Sequence, residues 1–337
     1  MKSKNGPNIS TDNELSISQK IHAFVAFHIM FIPPILVILG MVLGSYNVTI
    51  LTILLYTTFS FWSGDFHLLN NPAEYNYGNP WRKFSEDFPL FHTMRSYLQL
   101  NFGQLPKELL EAEKKVDAQF IFAVFPHGCS SEFRILIEGM MQNVLPNVYH
   151  KLRTLTASVL FKIPIVREIA LWTGCVNANR KTAELNLDRG NSLLVLPGGM
   201  NEQLMTESGK EKVYLKKRKG FIKLAMRKRV QVVPMYVFGS SNLFVTSKFL
   251  YGFRFWLMKT LGICIPLCRG LFGSPFCPLP KKVTVVFGAP LTFEMKGDCP
   301  TEKELDLAHD EFMTSLRQLF DKHKSSYGYG GRQIEIL

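Results

Sequence analysis

The hydrophobic pattern is dominated by one long uncharged block. From Ile21 to Gly64 the chain carries no Asp, Glu, Lys or Arg, a run of 44 residues bounded by Lys20 and Asp65. That is too long for one ordinary membrane span and suits two. Gly44-Ser45-Tyr46-Asn47 interrupts it, so the pattern predicts a membrane-embedded helical hairpin over residues 21–64. Its first helix runs from Ile21 to Leu43, kinked at Pro33-Pro34, and its second from Val48 to Trp62. The second is short enough to be re-entrant rather than fully spanning. A signal peptide fits worse, because the block begins late, runs too long and lacks a small-x-small cleavage site. A pair of buried helices in a soluble core is opposed by the want of any solvated face. Residues 1–20, with Lys2, Lys4 and Lys20, read as a cytosolic tail, and with most of the basic excess beyond residue 64 both ends face the cytosol.

After a polar connector over residues 65–115, with Asn70-Asn71-Pro72 and Asn79-Pro80, the periodicity becomes that of an α/β domain over residues 116–330. Short β-rich runs occur at Gln119 to Val124, Ser192 to Leu196, Val230 to Val237 and Val283 to Phe287. Helical patterns lie between and after them at Phe133 to Gln142, Thr182 to Asp188, Gly220 to Lys228 and Thr301 to His323. Alternation of this kind predicts a mixed, largely parallel sheet flanked by helices on both faces. Phe244 to Gly273 departs from it. Phe249, Leu250, Phe253, Phe255, Trp256 and Leu257 are punctuated by Lys248, Arg254, Lys259 and Arg269, which suits a segment lying at a membrane interface or a core helix with snorkelling cations.

At 337 residues the chain has room for one large domain and an accessory segment, and 47% apolar residues exclude a disordered chain. The net charge of +12 calls for an anionic partner: a polyanion, a membrane surface or a phosphorylated ligand. Six cysteines without CxxC spacing predict free thiols, no zinc site and a reducing compartment.

Candidate chemistry gathers where strands end. The first β run leads into Phe125-Pro126-His127-Gly128, and a histidine at a strand's carboxyl end sits where α/β folds place ligands. Imidazole suits removal of a hydroxyl proton near neutral pH. Glu132 could orient its ring, provided a bend separates them, because on one regular helix the two are about 140° out of alignment. Ser192 to Leu196 leads into Pro197-Gly198-Gly199-Met200-Asn201-Glu202, where adjacent glycines let backbone N–H groups approach an oxyanion and Glu202 adds a carboxylate. Lys210, Lys212, Lys216, Lys217, Arg218 and Lys219 form the densest basic cluster, continued by Lys223 and Arg227. With few aromatics in the cluster and a membrane hairpin nearby, nucleic acid fits poorly, whereas coenzyme A phosphates or anionic lipid fit well.

These blocks resemble, in order, those of the type-2 diacylglycerol acyltransferases, a family that also includes monoacylglycerol and wax-alcohol acyltransferases. Phe125-Pro126-His127-Gly128 is similar to its His-Pro-His-Gly block, and Leu196-Pro197-Gly198-Gly199-Met200-Asn201-Glu202 to its double-glycine block ending in Glu. Arg218-Lys219-Gly220-Phe221, Val233-Pro234-Met235-Tyr236-Val237-Phe238-Gly239, Val285-Val286-Phe287-Gly288-Ala289-Pro290 and Leu319-Phe320-Asp321-x-His323-Lys324 follow its later pattern. Phe125 replaces the first block's leading His, and Ser240 stands where many members carry Glu. More distantly, His127-x4-Glu132 looks like the His-x4-Asp dyad of glycerolipid acyltransferases, and Gly174-x5-Arg180 like their arginine block.

The resemblance implies a glycerolipid acyltransferase-like fold and a membrane enzyme of the endoplasmic reticulum, extending to lipid droplets, with its catalytic domain in the cytosol. It implies transfer from acyl-CoA to diacylglycerol, with His127 as base and Glu132 and Glu202 as acidic partners. Gly128, Pro197, Gly198 and Gly199 would form the oxyanion or substrate loop. Lys216, Lys217, Arg218, Lys219 and Lys223 would hold acyl-CoA, as would Arg180 unless it is structural. No metal or cofactor is required, no nucleic acid is involved, and a homo-oligomer is left open. A monoacylglycerol, long-chain alcohol or sterol is the alternative acceptor. A catalytically silent lipid-droplet scaffold is the alternative of another class.

Overall fold

The structure, a computed structural model, describes residues 15–29, 32–62, 80–163 and 165–337. Most of the tail expected over residues 1–20, and Asn70-Asn71-Pro72 of the connector, lie outside the described residues.

Eleven strands are assigned among the described residues: β1 (Asn101–Phe102), β2 (Phe120–Phe125), β3 (Leu152–Thr156), β4 (Cys175–Asn177), β5 (Ser192–Val195), β6 (Glu211–Val213), β7 (Gln231–Phe238), β8 (Val245–Thr246), β9 (Cys268–Arg269), β10 (Thr284–Phe287) and β11 (Ile334–Ile336). Seven form one sheet in the order β1-β10-β7-β2-β5-β3-β4. Strands β7, β2, β5, β3 and β4 run parallel, while β10 is antiparallel to β7 and pairs in parallel with β1. The expected mixed, largely parallel sheet is what forms.

The continuous apolar run of β2 explains its central place. All six of its residues are buried, and alternate side chains enter two different cores. Phe120, Phe122 and Val124 face one cluster, whereas Ile121, Ala123 and Phe125 face the other. The helices are α1 (Ile17–His28), α2 (Ile32–Val42), α3 (Tyr46–Trp62), α4 (Arg82–Asp87), α5 (Pro89–Tyr97), α6 (Lys107–Glu113), α7 (Glu132–Met140), α8 (Pro146–Tyr149), α9 (Val166–Trp172), α10 (Arg180–Asp188), α11 (Gly199–Met205), α12 (Gly220–Lys228), α13 (Tyr251–Leu261) and α14 (Glu302–His323). Helices α1, α5 and α7 contribute to the first core, and α10, α12 and α14 to the second. Thr301 and Glu304 close a reciprocal capping box that starts α14 where the sequence places it. The described part of the stretch expected as a connector over 65–115 belongs to the domain: α4 packs on α7, and β1 forms a sheet edge.

The N-terminal hairpin takes a different form from the one expected. Helix α1 ends at His28 and α2 begins at Ile32, so Pro33 and Pro34 fall in the first turn of a new helix, where proline is tolerated, rather than inside one long helix. Helices α2 and α3 pack as the hairpin, whereas α1 docks on α5. It buries Ala23, Ala26 and Phe27 and receives a hydrogen bond from the Ser274 hydroxyl at His28 Nε2 (2.7 Å). Among the described residues, no helix is long and apolar enough to cross a membrane. The 17 residues of α3 reach about 26 Å, short of a hydrocarbon core of about 30 Å.

Segment 244–273 forms an excursion between β7 and β10, with α13 set between the short paired strands β8 and β9. Its packing is inverted. Within α13, Arg254 and Met258 are the buried residues, and the Arg254 guanidinium donates to the carbonyls of Ser247, Phe249 and Ile265. The aromatics turn outward instead, Phe249 being 67% and Trp256 54% exposed.

Candidate active site

Strand β2 delivers the chain to a turn whose main chain is held by side chains of α11. His127 N–H donates to the Glu202 carboxylate, and His127 Nδ1 lies 3.1 Å from the Gly128 carbonyl. A carbonyl only accepts, so Nδ1 carries the proton and Nε2 keeps its lone pair. Gly128 has φ +69° and Ser131 φ +53°, which supplies the bend between His127 and α7 that the sequence required. Burial lowers the His127 pKa, the nearby Arg134 guanidinium lowers it further, and the Gly128 carbonyl partly offsets both. The ring is therefore neutral at pH 7, as a base must be. Activity that needs this neutral ring rises as pH climbs through its lowered pKa. The acid limb of kcat/KM is thus expected below pH 6.5; a midpoint at or above pH 7 in a steady-state pH profile contradicts this assignment.

Glu132 opens α7 but does not take the role expected of it. Among the described residues, no hydrogen bond joins its carboxylate to the His127 ring, whose Nδ1 is turned to Gly128, and Glu132 Oε1 is buried without a partner. Burial pushes its pKa up to about 7, against the opposing pull of its own backbone N–H.

Glu202 is the acidic residue that reaches His127, through the main chain. It is 1% exposed in the first turn of α11, with one oxygen on His127 N–H and the other on Tyr214 N–H at 2.7 Å. Burial raises its pKa to about 7, while the two N–H donors and the charge of Arg218 pull the other way. The double glycine divides its labour. A Cβ on Gly198 would run into the Glu202 carboxylate, so Gly198 makes room for the clamp. Gly199 has φ +51°, and its N–H is already bonded to the Leu196 carbonyl (3.1 Å) rather than free for an oxyanion. Pro197 lies between β5 and α11, partly exposed. Gln203 carries no signal in the sequence beyond following Glu202, yet its Nε2 donates to the Cys129 carbonyl at 2.7 Å.

The basic cluster is not one surface. Lys219 pairs with Asp306 on α14, and Arg180 pairs with Glu184 (2.8 Å), which also holds Arg227, away from the His127 turn. Lys216 and Lys217 are exposed, and Lys223 is half-buried on α12. Arg218 turns inward: it lies over the Tyr214 ring, donates to the Gly198 carbonyl at 3.4 Å, and its Nε is buried without a partner among the described residues. The two departures from the family blocks have structural readings. Phe125 points into the core against Phe312, away from the site, and Ser240 bonds back to the Val237 carbonyl (3.1 Å). The Cys129 thiol, hydrogen-bonded to Cys268 and buried, is pushed far above its usual range, the reverse of what a nucleophilic thiolate needs.

Fold and site together define a class: an α/β protein whose central parallel strand presents a neutral histidine, its backbone gripped by a helix that follows a neighbouring strand. Within that class the chain belongs to the diacylglycerol acyltransferase family, whose model matches residues 51–335. It is 34% identical over 226 residues to diacylglycerol O-acyltransferase 2 of Mus musculus, covering 62% of this chain and 58% of that one. It is 34% identical over 233 residues to diacylglycerol O-acyltransferase 1 of Eremothecium gossypii, covering 65% and 50%. The chain thus spans little more than half the length of these two relatives. Acyl-CoA wax alcohol acyltransferase 2 of Mus musculus is 28% identical over 274 residues, 76% of either chain. The likeness to a solved 1-acyl-sn-glycerophosphate acyltransferase from Thermotoga maritima is slight, with TM-score 0.43 and 15% identity over 90% of this chain and 96% of the other.

Proposed function

We propose that this chain is a membrane-associated O-acyltransferase that moves a fatty acyl group from acyl-CoA to the free hydroxyl of diacylglycerol, forming triacylglycerol. The observation that carries the proposal is the state of His127: a neutral imidazole at the end of the central strand, with Nδ1–H on Gly128 and Nε2 without a hydrogen-bond partner among the described residues. Nε2 takes the proton from the acceptor hydroxyl as its oxygen attacks the thioester carbonyl. The C–S bond then breaks and the proton passes to the coenzyme A sulfur. The raised pKa of Cys129 favours this direct transfer over a covalent intermediate. With the N–H groups of His127, Gly199 and Arg134 already bonded, the developing oxyanion falls to the remaining first-turn N–H groups of α7.

Lys216 and Lys217, exposed beside the inward-turned Arg218, suit the coenzyme A phosphates better than the paired Lys219 and Arg180 do. Changing both lysines to Gln is expected to raise the acyl-CoA KM about fivefold per charge in neutral detergent micelles, with the diacylglycerol KM unmoved. An unchanged acyl-CoA KM there removes them from substrate binding. The outward aromatics of α13 and the apolar surface of α2 and α3 suit a bilayer that the hairpin enters without crossing, in the endoplasmic reticulum and at lipid droplets, with the catalytic domain in the cytosol.

A long-chain alcohol is the second acceptor reading, favoured by the wax alcohol relative that aligns over 76% of this chain. Microsomes expressing the full chain, given labelled acyl-CoA and separate diacylglycerol, monoacylglycerol, long-chain alcohol and sterol acceptors, test the reading. Label is expected in triacylglycerol above the empty-vector level. Label in wax ester, sterol ester or diacylglycerol instead changes the acceptor, and no acyl transfer to any of them leaves the scaffold alternative.

A further inference from the structure

The contacts of α11 with the His127 turn go further than holding a loop in place. We propose that Gln203, together with Glu202, is a positioning residue that fixes which nitrogen of His127 faces the acceptor, by clamping the turn's main chain on both sides of the carbonyl that orients the ring. The inference rests on His127 acting as the base.

Three consecutive residues carry the geometry. The N–H of His127 is held by Glu202, and the carbonyl of Cys129 is held by Gln203 Nε2 at 2.7 Å. Between them lies the Gly128 carbonyl, on which His127 Nδ1 rests at 3.1 Å. Gly128 has φ +69°, a conformation that glycine adopts freely, so its own side of the turn offers little resistance to rotation of the peptide that follows. If that peptide turns, Nδ1 loses its acceptor and the proton is free to occupy either ring nitrogen. The commoner tautomer of an unconstrained neutral histidine carries its proton on Nε2, so most of the rings would then present N–H rather than a lone pair to the substrate.

The clamp is itself anchored. Glu202 is tied through its second oxygen to Tyr214 N–H, its neighbour Gly198 has no Cβ to displace it, and the Thr206 hydroxyl bonds to the Glu202 carbonyl at 2.9 Å. The adjacent side chains are matched to their targets: a carboxylate accepts from an N–H, and an amide donates to a carbonyl. Exchanging either kind of group puts like against like.

This chemistry makes Gln203 separable from a purely structural contact. Gln203→Ala deletes the donor, and Gln203→Glu replaces it with a group that donates only when protonated. Both full-length variants are purified in detergent, and kcat and KM are measured with acyl-CoA and diacylglycerol. Gln203→Ala is expected to lower kcat roughly tenfold and leave the acyl-CoA KM within about twofold, because the ring does not bind the coenzyme. For Gln203→Glu, activity relative to wild type is expected to rise as pH falls from about 8 to about 6, while the Gln203→Ala ratio stays flat.

A Gln203→Ala kcat within about twofold of wild type, or a Gln203→Glu ratio that does not change with pH, overturns the clamp. His127→Ala is run alongside. If it keeps full turnover, the reading of His127 as base fails. If it is inactive while both Gln203 variants behave as wild type, the clamp alone fails.

Discussion

Replacing His127 with alanine is expected to lower turnover roughly 10²- to 10⁴-fold with the fold intact. The large effect follows from the site's composition. Two neighbouring groups do not stand in for His127: Cys129 is held in its protonated form, and the Glu132 Oε1 is buried without a hydrogen-bond partner among the described residues. The small structural effect follows from how the residue is held. The tie between His127 and Glu202 runs through the backbone N–H, which alanine retains, and among the described residues the ring bonds only to the next residue's carbonyl. The kcat for triacylglycerol formation and the near-ultraviolet dichroism of the purified variant are the measurements. Turnover within a few-fold of wild type removes His127 from the chemistry.

Glu202→Ala is expected to damage both stability and rate. Its side chain accepts from two main-chain N–H groups, and each buried donor left without a partner costs about 1–3 kcal/mol. Losing both therefore predicts a fall in unfolding free energy of about 2–6 kcal/mol. Among folded molecules kcat should still drop roughly 10- to 100-fold, because the His127 turn is no longer held. Gly198→Ala should move both quantities the same way, since its methyl would occupy the space of the Glu202 carboxylate. Urea unfolding with kcat corrected for the folded fraction separates the two effects. An unchanged unfolding midpoint would mean that the two N–H groups find other acceptors, and the clamp would lose its meaning.

What could be read in the sequence was decided by burial. Strands β2, β5, β7 and β10 are covered on both faces, so each is a continuous apolar run after, in β5, β7 and β10, a polar first residue. Strand β3 went unread because Leu152-Arg153-Thr154-Leu155-Thr156 alternates with polar side chains that are nonetheless buried at Arg153 and Thr154. The uncharged block left protein and lipid contacts undistinguished for the opposite reason. In α1 an inward face of Ala23, Ala26 and Phe27 and an outward row of Ile17, Ile21, Val25 and Ile29 are both apolar, so hydropathy alone does not tell protein core from lipid.

The site was half legible in the same way. A histidine and a glutamate at the ends of β2 and β5 are conspicuous as polar residues where two parallel strands terminate side by side. Glu202's actual partner, the backbone N–H of a residue 75 positions earlier, leaves no mark in residue type. The same holds for Gln203 on the Cys129 carbonyl. In the basic cluster Lys210 and Lys212 pair with the nearby Glu207, whereas Asp306 and Glu184, the partners of Lys219 and Arg227, come from other helices and leave no mark beside them in the sequence.

The central claim is direct transfer of the acyl group from coenzyme A to a lipid hydroxyl activated by His127. It is tested most directly by incubating the purified full-length protein with labelled acyl-CoA, with and without diacylglycerol, and following label in protein and lipid. The account predicts label in triacylglycerol when diacylglycerol is present, at most about a hundredth as much of it formed by His127→Ala, and no label held covalently by the protein in either case. Label retained on the protein, at Cys129 or elsewhere, and chased into lipid when acceptor is added would contradict it.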